Sequence, residues 1–175
     1  REENLSFPYD SKKIELNATS TVAGKVPDVP DVPTIGTASD VGTSRAYNNG
    51  AVSVPFTPAA TGGAPSLYTA TSTPGSITGT GTSSPIQITG LSSATAYTFT
   101  VTPSNSTATG PTTSSSNSVT ATTVPQAPTV GTPSVSTGQA YTGNANVSVP
   151  FTPGASGGKS ISSYTVTSSS GNTQS

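Results

Sequence analysis

Residues 51–63, AVSVPFTPAATGG, return 95 positions later as residues 146–158, NVSVPFTPGASGG, and residues 32–37, VPTIGT, return at the same offset as residues 127–132, APTVGT. Solenoid repeats recur every ~20–50 residues, whereas a β-sandwich module takes about 100. The spacing therefore predicts one whole domain per repeat, arranged as beads on a string.

Apolar residues inside the first copy alternate with Ser and Thr: Val52, Val54 and Phe56, then Ile86 and Ile88, then Tyr97, Phe99 and Val101. A period of two places these side chains on one face of extended strands. Gly and Pro cluster between the runs, at Gly62 and Gly63, Pro74 and Gly75, Gly79 and Gly81, and Gly110 and Pro111, where turns belong. No segment carries a helical apolar period. The pattern predicts strands at 34–41, 52–57, 67–72, 76–79, 86–89, 96–103 and 118–123, which suits an antiparallel two-sheet sandwich. Pro55 and Pro150 fall inside the best strand and donate no ladder hydrogen bond, so a bulge or an outward-facing edge is expected there. The Ser/Thr/Gly/Pro-rich composition, with 30% hydrophobic residues, would also suit a disordered chain; the alternation and the repeat argue for a fold.

These residues carry a family resemblance. Residues 86–101, IQITGLSSATAYTFTV, resemble the stretch joining strands E and F of fibronectin type III domains, with Leu91 and Tyr97 on that family's pattern and Tyr97 in the place of its tyrosine corner. The resemblance implies that the Tyr97 ring joins the core while its hydroxyl reaches back to an upstream backbone group. Residues 102–123 are similar to the rest of strand F, the FG loop and strand G, including Asn105 and Gly110. Phe56 and Phe151 stand where the family usually has a Trp on strand B, which trims the core. The likeness covers one module, about residues 32–124, and the first part of a second from residue 125. The expected organisation is an extended segment over 1–25, a proline-rich linker over 26–33, module 1 over 34–124 and a partial module 2 over 125–175. Residues 160–168, SISSYTVTS, correspond to strand C, and no counterpart of strands E, F and G follows before Ser175, so the natural chain is expected to continue. Likewise, the sequence opens on Arg1 and contains no Met, so an initiator residue was removed or the true N-terminus is not shown.

Function classes are limited by what is missing. His and Cys are absent and 7% of residues are charged. Arg1, Glu2, Glu3, Asp10, Lys12, Lys13, Glu15, Lys25, Asp28 and Asp31 crowd the N-terminal part, leaving Asp40, Arg45 and Lys159 for the rest. No carboxylate pair or Ser–base couple can be assembled from those three, so acid–base and nucleophilic catalysis lack their usual groups. Zinc, copper and iron–sulfur sites lack theirs, and no disulfide framework is available. The net charge is −1 and the only basic doublet is Lys12–Lys13, which argues against nucleic-acid binding and polybasic membrane attachment. No apolar run approaches a membrane span. No catalytic residue, cofactor or metal site is expected.

Residues 26–33, VPDVPDVP, repeat Pro every third position, the period of a polyproline II spacer; VPQAP at 124–128 predicts a restricted orientation between modules. Two readings fit residues 1–25: an attachment segment contacting a partner through Phe7, Tyr9, Lys12, Lys13 and Ile14, or a solvated tail. Asp28, Asp31 and Asp40 are candidate Ca²⁺ ligands at a module boundary, but they are dispersed and no acidic loop surrounds them. Asn4, Asn17, Asn105 and Asn146 each begin an Asn-x-Ser/Thr sequon. The FG loop, with Asn105, Ser106 and Thr107, is where fibronectin type III modules often carry recognition residues, although the integrin-binding Arg-Gly-Asp triplet is missing.

The functional expectation is a non-catalytic structural or binding protein. Nearly uncharged, Cys-free modules of this kind look like those of bacteriophage structural proteins. That likeness implies a virion fibre, whisker or capsid decoration, present in several copies, docked on other virion subunits and weakly contacting host-surface glycan. The alternatives are a spacer of a secreted bacterial carbohydrate-active enzyme or adhesin, and a eukaryotic adhesion ectodomain.

Overall fold

In the computed structural model, which describes residues 29–135, 146–171 and 173–174, every regular element is a β-strand, and every pairing between strands is antiparallel. The first copy holds β1 (Thr34–Ile35), β2 (Ser39–Asp40), β3 (Gly50–Val54), β4 (Phe56–Thr57), β5 (Leu67–Thr73), β6 (Thr78–Gly81), β7 (Ile86–Leu91), β8 (Ala96–Ser104) and β9 (Val119–Thr120). They form a three-stranded sheet, β2-β3-β7, and a four-stranded sheet, β6-β5-β8-β9, with β1 paired to β4. This is a β-sandwich arrangement, and the alternation in sequence builds it. Along β8, Tyr97, Phe99, Val101 and Pro103 are buried while the Thr residues between them are half-exposed. From the other sheet Val52, Val54, Ile86, Ile88 and Leu91, with Phe56 of β4, meet them in one cluster. Burying each such aliphatic or aromatic side chain contributes about 1.5–3 kcal/mol, which suffices to hold a module without disulfides.

Two strands expected to be continuous are interrupted. The 34–41 run divides into β1 and β2, and the 52–57 run divides into β3 and β4 at Pro55. Pro55 has no N–H for a ladder, but its carbonyl accepts from Gly36 N at 2.8 Å, so the break in one strand faces the break in the other. A Cβ at Gly36 would lie 3.1 Å from Pro55 Cγ. The strand forecast at 76–79 lies at Thr78–Gly81, because the β5–β6 turn extends through Ser76: buried Ser72 accepts from Ile77 N and donates to the Pro74 carbonyl, both at 3.0 Å. In β7 an extra residue opposite the Gly50/Ala51 step makes a bulge at Gly90, φ +80°, where a glycine is needed for its backbone freedom rather than for space.

The strand expected at 118–123 is regular only at Val119–Thr120. Upstream, the chain follows β8 with hydroxyls standing in for carbonyls. Phe99 N donates to Ser116 Oγ and Val101 N to Thr113 Oγ1, each at 3.0 Å, while Ser116 N and Thr113 N donate back to the Phe99 and Val101 carbonyls. Asn117 performs the same substitution toward the opposite sheet, accepting from Ala38 N at 2.8 Å and donating to the Ala38 carbonyl at 3.1 Å.

The second copy contains β10 (Thr129–Val130), β11 (Ser134–Val135), β12 (Val147–Ser148), β13 (Phe151–Thr152), β14 (Val166–Thr167) and β15 (Thr173–Gln174). Two of its pairings duplicate the first copy, with Val130 facing Phe151 as Ile35 faces Phe56 and Val135 facing Val147 as Asp40 faces Val52, whereas β14 and β15 close a hairpin one residue tighter than β5 and β6. Gly131 N donates to the Pro150 carbonyl at 2.8 Å, the counterpart of the Gly36–Pro55 bond.

Candidate functional site

The residues singled out as structural serve the core of the first copy. Phe56, Leu91, Tyr97, Phe99 and Val101 are all buried, whereas Phe151 is 39% exposed. Phe56 stacks on Tyr68 at 4.4 Å between ring centroids, and Phe151 on Tyr164 at 4.6 Å. Tyr97 lies 6.3 Å from Phe99, and its hydroxyl accepts from Ser92 N at 3.0 Å. That bond pins the turn between β7 and β8 to the core.

The loop after β8 is ordered by its own backbone. Asn105 Oδ1 accepts from Thr107 N and Ala108 N at 3.0 and 2.9 Å, and Asn105 N donates to the Ala108 carbonyl. Ser106 and Thr107 are exposed at its tip, so the loop offers hydroxyls and amides to a partner. Its base is not free. A Cβ at Gly110 would sit 2.2 Å from the Pro30 carbonyl and 3.0 Å from Pro103 Cγ, and Pro30 is among the most deeply buried residues.

Residues 29–33 therefore differ from a spacer. Pro30 pairs with Gly62 in an isolated bridge, Gly63 N donates to the Val29 carbonyl at 3.0 Å, and Asp31 accepts from Thr61 Oγ1 at 2.7 Å. The Gly-Gly pair of the repeat is needed here because Gly62, at φ +81°, leaves no room for a Cβ beside Asp31 N.

The same loop of the second copy, around Gly157 and Gly158, meets the far end of the first. Thr123 N donates to the Gly157 carbonyl and Gln126 N to the Ala155 carbonyl, both at 2.8 Å. A Cβ on Gly158 would come within 3.1 Å of Ala94 N and 3.2 Å of the Ala121 carbonyl. The receiving platform is polar and internally satisfied. Val124 N donates to the Arg45 carbonyl, Thr123 Oγ1 and Ser93 Oγ share a bond at 2.6 Å, and Asn48 and Ser93 exchange bonds at 2.8 and 3.1 Å. Arg45 in turn donates to the Asn49 carbonyl at 2.7 Å. The VPQAP segment at 124–128 predicts a restricted orientation between the copies but not the loop that meets it, and the recurrence of Gly-Gly at 62–63 and 157–158 predicts only a turn.

Asp31 and Asp40 do not converge on a cation. Asp31 binds Thr61 in the loop beyond β4, while Asp40, level with Val52 on β3, accepts from Gly42 N, Thr122 N and Thr122 Oγ1. Asp40 is thus a clamp between β2 and the segment after β9. Among the described residues no group of three His, Cys, Asp or Glu side chains could hold a metal ion, and no helix is long and apolar enough to cross a membrane. No buried side-chain polar atom there lacks a hydrogen-bond partner. Asn146, one of the sequon residues, is exposed beside β12. Phe7, Tyr9, Lys12, Lys13 and Ile14, the sequons at Asn4 and Asn17, and Asp28 lie outside the described residues.

Comparison with known protein families and with curated proteins found no match to the chain.

Proposed function

We propose that this chain is a non-catalytic structural protein built from tandem fibronectin type III-like modules, and that its setting is a bacteriophage virion, as a fibre, whisker or surface decoration. The observation that carries the structural half of this reading is the junction. The exit from one sandwich and the Gly-Gly loop of the next copy are joined by backbone hydrogen bonds at 2.8 Å, and the loop recurs at the repeat interval. An arrangement of this kind fixes successive modules head to tail and carries a terminal binding surface away from its anchor. The sheet allocation β2-β3-β7 against β6-β5-β8-β9 and the bond from Ser92 N to the Tyr97 hydroxyl support the family resemblance.

The virion half rests on composition: a nearly uncharged, Cys-free surface of Ser and Thr, with charge gathered at the N-terminal end. In this reading residues 1–25 dock on another virion subunit, and the polar loop at Asn105, Ser106 and Thr107 makes weak contacts with host glycan, multiplied by copy number. Mass spectrometry of purified virions tests it. Peptides such as residues 86–101 recovered with the structural proteins support the assignment. Recovery from a bacterial secretome, in a chain that also carries a hydrolase or anchoring domain, replaces it with the spacer role.

A further inference from the structure

Charge is scarce among the described residues, and the two signs are used differently. The carboxylates are engaged inside the first copy: Asp31 accepts from Thr61 Oγ1 at 2.7 Å, and Asp40 accepts from Gly42 N at 3.1 Å and from Thr122. The cations, Arg45 and Lys159, belong one to each copy and both lie at the junction. The Arg45 carbonyl accepts from Val124 N, and the neighbouring Thr123 N donates to the carbonyl of Gly157, two residues before Lys159. Docking thus draws two like charges to one seam, with no carboxylate of the described residues between them. Like charges brought together cost free energy, and an anion bound between them turns that cost into attraction.

Arg45 is held ready for such a ligand. Asn49 N donates to the Ala46 carbonyl at 3.0 Å, closing a turn, and Arg45 spans that turn: Nε donates to the Asn49 carbonyl at 2.7 Å and Nη2 to Asn49 Oδ1 at 3.2 Å. A guanidinium carries five N–H donors in a rigid fork, so these bonds fix its plane and still leave donors for an anion. The same turn exposes Tyr47, whose ring offers an apolar face with a polar tip. Asn48 uses its N and Oδ1 on Ser93, at 2.8 and 3.1 Å, which leaves its Nδ2 donors for a ligand hydroxyl. Across the seam Ser156 and Lys159 are exposed.

We propose that the seam between the copies is a binding site for an anionic saccharide, a sugar unit bearing a carboxylate or a phosphate. Arg45 and Lys159 hold the anion, Tyr47 covers the apolar face of the sugar ring, and Asn48 Nδ2 donates to a hydroxyl. The inference deepens the glycan contact in the reading above and rests on that reading for the sugar. It places that contact at the other end of the first copy from the Asn105 loop. Because the ligand touches both copies, its binding stabilises the docked junction by mass action.

The experiment titrates a polypeptide of residues 1–175 with oligogalacturonate, its neutral methyl ester, glucose 6-phosphate and inorganic phosphate, followed by calorimetry and amide hydrogen exchange. The expected result is binding of oligogalacturonate, of glucose 6-phosphate or of both, which separates a carboxylate site from a phosphate site. The methyl ester does not bind, inorganic phosphate binds about tenfold more weakly, affinity falls as salt is raised, and exchange slows at Thr123 and Gln126. Lys159→Ala and Tyr47→Ala each weaken binding about threefold or more, Lys159→Arg restores it, and slow exchange in β3 shows that the first copy of each variant remains folded. The proposal is overturned if neither sugar anion binds, if the methyl ester binds as well as the acid, or if inorganic phosphate binds as tightly as the sugars. It is also overturned if binding survives both Lys159→Ala and Tyr47→Ala, which would put the anion elsewhere, for example on Lys12 and Lys13. None of these outcomes bears on the virion assignment, which mass spectrometry decides, and recovery from a secretome would leave the binding result standing.

Discussion

The first and second copies share their first strand pairings and differ most in what depends on distant segments. The registers of their first two strand pairs match, their aromatic pairs meet at 4.4 and 4.6 Å, and the same Gly–Pro carbonyl bond closes the same strand interruption. The Tyr164 contact survives a one-residue insertion in the preceding loop. Burial is another matter: Phe56 is 5% exposed and Phe151 39%. Register and turn geometry thus arise from residues near one another in sequence, whereas the core arises only when β7, β8 and β9 return across the sheet. Hydrophobic stabilisation in this family of repeats is accordingly a long-range property.

The largest way to break that contrast is in the lid. Phe99→Ala removes a fully buried ring and is expected to destabilise the first copy by about 3–5 kcal/mol, read as a shift in the denaturant midpoint. An unchanged midpoint would mean that the core is not organised around β8. Asp40→Ala comes next. It leaves Gly42 N, Thr122 N and the Thr122 hydroxyl without their carboxylate, at a cost of about 2 kcal/mol, and Asp40→Asn should recover part of it. The second copy, with Val135 at the equivalent position, has no such clamp to lose.

Gly157→Ala probes the join between the copies. At φ +71° with a Cβ 2.6 Å from the Thr123 and Val124 carbonyls, the substitution is expected to cost the junction about 1–2 kcal/mol, raising amide exchange at Thr123 and Gln126 while the first copy keeps its melting temperature. Tyr97→Phe should cost about 1 kcal/mol through the lost Ser92 bond. Smallest is Phe151→Ala in a polypeptide of residues 1–175, expected to change the unfolding free energy by under about 0.5 kcal/mol, because strands equivalent to β7, β8 and β9 are not within those residues to close over the ring. A loss comparable to that of Phe56→Ala would show that the two copies are equally covered.

Much of this was legible in the sequence. The alternation around Tyr97, Phe99 and Val101 marked both the longest strand and its buried face, and the 95-residue offset marked the second copy. The breaks at Gly36 and Pro55 were only half legible, since a proline announces a missing donor but not the partner strand that breaks with it. Residues 112–117, PTTSSSN without its first proline, read as loop because their hydroxyls and amide complete the ladder in place of backbone groups, and composition cannot distinguish that from solvated Ser and Thr. Residues 29–33 read as a spacer because burial of Pro30 requires Gly62 and Gly110, remote positions that no local pattern connects. At the junction the restraint was legible in VPQAP, but the loop that meets it was not, because the bonds between them are largely main chain to main chain.

Native-state amide exchange across β3 and β12 in a polypeptide of residues 1–175 tests most directly the claim that β7, β8 and β9 make the core. The account predicts slow exchange, near the global unfolding limit, at Val52 and Val54, and fast exchange at Val147 and Ser148. Equal protection of the two strands would contradict it, and would mean that the second copy closes its core as the first does.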